Sequence, residues 1–142
     1  MSSQENGYQW QELEVFALQD TAKGWEMIDR QLQDLTIYEK AEYIQAALKC
    51  LRSKKGPLQD LGATFFQDMP EEQFHTVTNN NSDIYKVLES QMTKGASTFA
   101  QFRASFALYV HGYETCEVIS KIRDALKEPD VADIAKRLLG QL

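Results

Sequence analysis

Cysteine is scarce in this chain of 142 residues: Cys50 and Cys116 are the only two and lie far apart. That excludes the dense disulfide framework of small secreted domains. Both fall in helix-like apolar patterns and are expected as buried free thiols. Cys50 lies among cations able to lower a thiol pKa, which is the one argument for reactivity. Proline (3) and glycine (7) are few, which argues against collagen-like, linker-dominated or turn-rich all-β chains. No apolar run approaches the roughly 18–20 residues of a membrane helix, so no membrane partner is expected. The opening MSSQENGYQW has no basic segment leading into an apolar stretch and no Arg-rich presequence. The expected compartment is therefore the cytoplasm.

Catalytic signatures are lacking as well. There is no G-x-S-x-G, P-loop, G-x-G-x-x-G, EF-hand loop or H-E-x-x-H, and no cofactor is expected. The two histidines leave few constellations to build. Glu72 and His75 match the Glu-x-x-His spacing of di-iron bundles once, whereas His111 and Glu114 stand in the reverse order. The pattern needs two such pairs. Cys116 lies five residues from His111, on a different side of one helix. The chain is expected not to be an enzyme. A helical enzyme or metal-binding bundle on Glu72, His75, His111 and Glu114 is the competing class, and it requires those side chains to converge.

Hydrophobic residues make up 43%, aromatics 11% and charged residues 25%, enough apolar surface for a core. A net charge of −6 is too mild for charge-driven disorder. The charge is uneven. Residues 1–48 carry nine acids against three bases, and a basic knot follows at Lys49, Arg52, Lys54 and Lys55. A pI near 4.9 without a basic stripe argues against nucleic acid as the main ligand, because phosphate neutralisation needs clustered Lys and Arg. The knot's plain reading is cations placed against a helix C-terminus.

Periodicity is helical throughout, with no convincing run of strict alternation. The clearest segment starts at a Thr36/Glu39 capping box, runs through Ile37, Ala41, Ile44, Leu48 and Leu51, and ends in the basic knot, with Gly56 as the C-terminal stop and Pro57 beyond it. Upstream, Trp10–Ala17 and Trp25–Leu35 form two short helices, or one helix with a weak point at Gly24. Further helices are expected around Leu58–Phe66, after Pro70, around Ile84–Met92, and after Pro129 with Asp130 as cap. The polar stretch Thr78–Ser82 is the best loop candidate.

The most apolar segment opens at a Thr98/Gln101 box and carries Phe99, Phe102, Phe106, Tyr109 and Tyr113 along one side. Its period continues through Cys116 to Leu126, as one helix of about thirty residues. Helices apolar nearly all round are buried, so this one is expected at the centre. The fold class is all-α: a single-domain compact bundle of six to eight helices over residues 1–142, with a long central aromatic-rich helix and residues 1–8 as a disordered tail. An exposed patch, if there is one, is expected at Tyr8 and Trp10, or at Tyr38 and Tyr43, which sit off the main apolar face.

By elimination, the expected function is non-catalytic protein–protein docking, as in an adaptor, chaperone, inhibitor or immunity-type domain. Glu12, Glu14 and Glu26 in the acidic third are the candidate contacts for a basic protein partner. Their plain reading is the solvated faces of amphipathic helices. The alternative is a helical subunit of a larger protein or nucleoprotein assembly. That version predicts an apolar patch of a few hundred Å² and the Lys49–Lys55 knot facing phosphates or carboxylates.

Overall fold

The computed structural model describes residues 9–140, and the expected tail at residues 1–8 lies outside them. Among the described residues there are nine α-helices, one 3-10 helix and no strand, so the helix count passes the expected six to eight. None of the helices among the described residues is long and apolar enough to cross a membrane.

The first helix, α1 (Trp10–Gln19), buries Trp10, Leu13 and Ala17. It ends at Asp20, whose φ of 52° makes it the one non-glycine residue with positive φ among those described. Aspartate tolerates this left-handed conformation better than most residues. Thr21 then caps α2 (Ala22–Gln31), accepting from the Gly24 N–H at 3.0 Å. The break therefore falls at Asp20–Thr21. Gly24 lies inside α2, where a Cβ would stand only 2.9 Å from the Phe16 carbonyl oxygen, so the close packing of α1 on α2 favours glycine there.

A 3-10 helix (Leu35–Glu39) precedes α3 (Ala41–Leu51). The capping box expected at Thr36 does not form. Asp34 accepts from the Thr36 N–H at 3.0 Å and from its hydroxyl at 2.7 Å, closing a tighter turn first. That turn buries Ile37 and Tyr38, and the Tyr38 hydroxyl donates to the Leu32 carbonyl at 2.6 Å. Tyr43 and Trp10 are buried too, packing edge-to-face at 5.6 Å between centroids. The expected exposed patch of Trp10, Tyr38 and Tyr43 is therefore core, and Tyr8 lies outside the described residues.

Gly56–Pro57 does not terminate α3 but opens α4 (Gly56–Asp68), where proline's missing N–H costs nothing. After Pro70, α5 (Glu71–Asn80) runs through most of the expected loop. Thr78 tolerates the helix because its buried hydroxyl donates back to the Phe74 carbonyl at 2.8 Å. Only Asn81 and Ser82 separate it from α6 (Asp83–Lys94).

The aromatic segment begins as α7 (Thr98–Val110), capped by Ser97 rather than by Thr98. It packs against α4, α6 and α8 (Cys116–Ala125). It is not one long helix. Gly112 at φ 89° donates to the Tyr109 carbonyl, and the Tyr113 N–H donates to the Leu108 carbonyl. That pair of bonds is a Schellman stop. Thr115 then caps α8 through the Val118 N–H at 3.2 Å. Cys116, the first residue of α8, is exposed, while Cys50 is buried; both are free thiols. The last helix is α9 (Ala132–Leu138), with Val131 rather than Asp130 at its N-cap. One cluster of buried apolar side chains draws on every helix from α1 to α9.

Candidate functional site

Only two ion pairs occur among the described residues. One is exposed: His75 Nε2 lies 3.9 Å from Glu71 Oε2. The other is mostly buried: Arg103 Nε donates to Asp60 Oδ1 at 3.1 Å, with the two side chains 21% and 17% exposed. Arg103 Nη1 also donates to Gln67 Oε1 at 3.0 Å, and the Thr64 hydroxyl donates to Asp60 Oδ1 at 3.2 Å. Asp60, Thr64 and Gln67 step by four and three residues, which aligns them along one face of α4. Arg103 is the only charged residue of α7, and Phe106 lies beneath it, with Cζ 5.8 Å from the ring centroid.

Around this bond the surface is concave. A recess of about 230 Å³ is lined by Asp20, Trp25, Asp29, Asp60, Phe99, Arg103 and Asp130 among others. A shallower cleft of about 640 Å³ adjoins it through Asp29, lined by Gln67, Asp68, Leu35, Ile134 and Arg137. Across both, five carboxylates (Asp20, Asp29, Asp60, Asp68, Asp130) face two guanidiniums, Arg103 and Arg137.

Burial, more than mutual repulsion, sets the titrations here. Burial raises Asp29 above the ordinary carboxylate range, opposed by Arg103. Burial also outweighs Arg103 and Thr64 at Asp60. Asp68 is pushed up to about 6 by burial of its inner side and by Asp29, against the pull of Arg103. Because Asp68 is exposed at the cleft rim, solvent tempers this effect. Chemically, the arrangement offers negative charge beside aromatic faces to a positive group arriving from outside.

The acids singled out from the sequence do not line the recess. Glu12 and Glu26 are exposed on α1 and α2. Glu14 is half-buried, and its Oε2 accepts from the Cys50 thiol at 3.4 Å. Burial, more than this neighbour, pushes that thiol up to about 12, the opposite of activation by nearby cations. From the acidic third, Asp20 and Asp29 enter the cleft instead. Asp60, Asp68, Arg103 and Asp130 complete it and were not singled out. One signal was available: a lone arginine inside the most apolar helix requires a carboxylate partner.

The basic knot straddles two helices. Lys49 sits in the last turn of α3 and Arg52 is its C-cap, as the dipole reading expects. Lys55 is the N-cap of α4, where a cation opposes the dipole. Arg52 lines a shallow depression with Lys86, Asp83 and Ser90.

Glu72, His75 and Glu114 are exposed, whereas His111 is buried. The His111 ring stacks on Phe74, with centroids 3.9 Å apart and planes 4° apart, and its Nε2 lies 2.7 Å from the Phe66 carbonyl oxygen. Because a carbonyl only accepts, Nε2 carries the proton of the neutral ring. Nδ1 is buried without a partner. Among the described residues no three His, Cys, Asp or Glu side chains are grouped to hold a metal ion. Comparison with protein-family models, curated proteins and solved structures finds no match for this chain.

Proposed function

We propose that the protein is a non-catalytic docking protein whose acidic cleft between α2, α4, α7 and α9 seats a basic segment of another protein. One observation carries this reading: the cleft holds five carboxylates, and its one mostly buried cation, Arg103, is already bonded to Asp60 and Gln67. Unneutralised charge in a concavity favours a cationic partner, and complementarity of this kind supplies association rate and specificity more than raw affinity. The test is affinity capture of the tagged protein from its source lysate at low and high salt. The reading expects a stoichiometric basic protein that is released as salt rises. Retention of only neutral or acidic proteins, unchanged by salt, contradicts it.

A second reading, a helical subunit of a larger assembly, draws on Val15 and Leu18. They lie one turn apart on the outer face of α1 and are 54% and 46% exposed. Under that reading, Val15→Lys with Leu18→Lys abolishes co-purification, and charge reversal in the cleft does not.

A further inference from the structure

Phe99 sits in the first turn of α7 with 42% of its surface exposed, whereas Phe102 and Phe106 on the same helix are buried. It contributes an aromatic surface to the 230 Å³ recess, and Trp25 of α2 contributes another. The Trp25 indole N–H donates to Asp20 Oδ1 at 2.9 Å, which restrains the ring beside the left-handed Asp20 that ends α1. Asp29 and Asp130 bring carboxylates to the same space. Arg103, in the same lining, shows how the recess holds a guanidinium: against a carboxylate and over a ring. Both hydrogen bonds received by the Asp60 side chain fall on Oδ1, so Oδ2 keeps its acceptor capacity.

Size narrows the occupant. Pockets for small molecules and cofactors run to about 300–1,000 Å³, and this recess is smaller. Aromatic rings beside carboxylates favour a cation, and the several carboxylates lining the recess favour a group with several donors. A guanidinium is planar, stacks on aromatic rings, carries five N–H donors and sheds water more readily than an ammonium.

We infer that the recess at Trp25, Phe99, Asp29 and Asp130 receives the guanidinium of a single arginine from the basic partner. This rests on the docking reading above and adds a preference for arginine over lysine that net charge alone does not produce.

The test is titration of the full chain with oligoarginine and oligolysine amides of equal length at low salt, following the indole N–H resonance of Trp25 by NMR. That resonance is assigned by its loss in Trp25→Phe. Oligoarginine is expected to shift it saturably and to bind about fivefold tighter than oligolysine, the scale of one exposed cation–π contact. Phe99→Ala is expected to erase the preference while circular dichroism stays unchanged. Asp130→Asn, at an exposed position, is expected to weaken oligoarginine binding and serves as the second variant. Equal binding of the two peptides, or a preference that survives Phe99→Ala, overturns the arginine inference and leaves the acidic cleft standing. Failure of both peptides to bind at low salt overturns the inference and the docking reading together.

Discussion

Arg103 Nε and Asp60 Oδ1, 3.1 Å apart, join α7 to α4 at the one charged position of the chain's most apolar helix. This bond fixes the charge balance of the cleft. It commits the single mostly buried cation to Asp60, while Asp29 and Asp68 feel Arg103 only through space.

Removing the cation strands Asp60. Arg103→Met is expected to destabilise the fold by ~2–4 kcal/mol, somewhat below the figure for fully buried pairs because both side chains keep some solvent contact. Arg103→Met with Asp60→Asn is expected to recover much of that loss. Urea unfolding of the two single variants and the double variant measures the coupling. Strictly additive losses contradict the bond's central place.

In the folded protein Asp68 is pushed up from its ordinary 3.8 to about 6, an effect that solvent at the exposed rim tempers. The native state therefore holds this proton more tightly than the unfolded chain does. The associated stability is fully present below pH 3.8 and is lost as pH rises through about 6. Asp68→Asn is expected to flatten the stability profile across that window. The ionised carboxylate is also the form that attracts a cation, so binding of a basic peptide is expected to strengthen over the same pH range. A titration in which Asp68→Asn leaves both profiles unchanged contradicts this assignment.

His111 works in the opposite sense. Burial lowers its pKa below 6.5, so its contribution is present above 6.5 and lost as pH falls through the lowered folded value. His111→Phe keeps an aromatic ring for the stack on Phe74 but leaves the Phe66 carbonyl without its donor. At neutral pH the expected cost is about 1–3 kcal/mol. The difference from the unsubstituted protein is expected to shrink in acid, measured by urea midpoints on either side of pH 6.5. A constant difference contradicts the neutral, Nε2-protonated ring.

How much of this was legible in the sequence varies with the signal. The all-helical class and the burial of most of α7 follow from apolar periodicity, which long segments display strongly. The boundaries at Thr36, Gly56 and Gly112 did not. Each depends on a competing local partner: Asp34 for Thr36, proline's place in a first turn for Gly56, and a positive φ for Gly112. Trp10, Tyr38 and Tyr43 lie off the main stripe and are buried around a 3-10 turn, which has no long period to read. The cleft was only partly legible. Its acids come from four separate segments that only tertiary packing brings together, although Arg103 alone in an apolar helix pointed to it. Glu14 drew notice for its charge, and the fold turns it inward to Cys50.

Lys55 at the α4 N-cap breaks a local rule, with no side-chain cap and the wrong charge for the dipole. Lys55→Asp is expected to stabilise the protein by about 0.5–1.5 kcal/mol, read as a rise in Tm. An unchanged or lower Tm indicates that Lys55 makes a favourable interaction that offsets its position.

The most direct test of the docking account compares two charge reversals in the same low-salt capture. One places lysines in the cleft, Asp29→Lys with Asp130→Lys, and the other on the open faces of α1 and α2, Glu12→Lys with Glu26→Lys. All four positions are exposed, so both variants are expected to fold. The account predicts that the cleft variant loses the basic partner and the helix-face variant keeps it. Loss with the helix-face variant and retention with the cleft variant would contradict it.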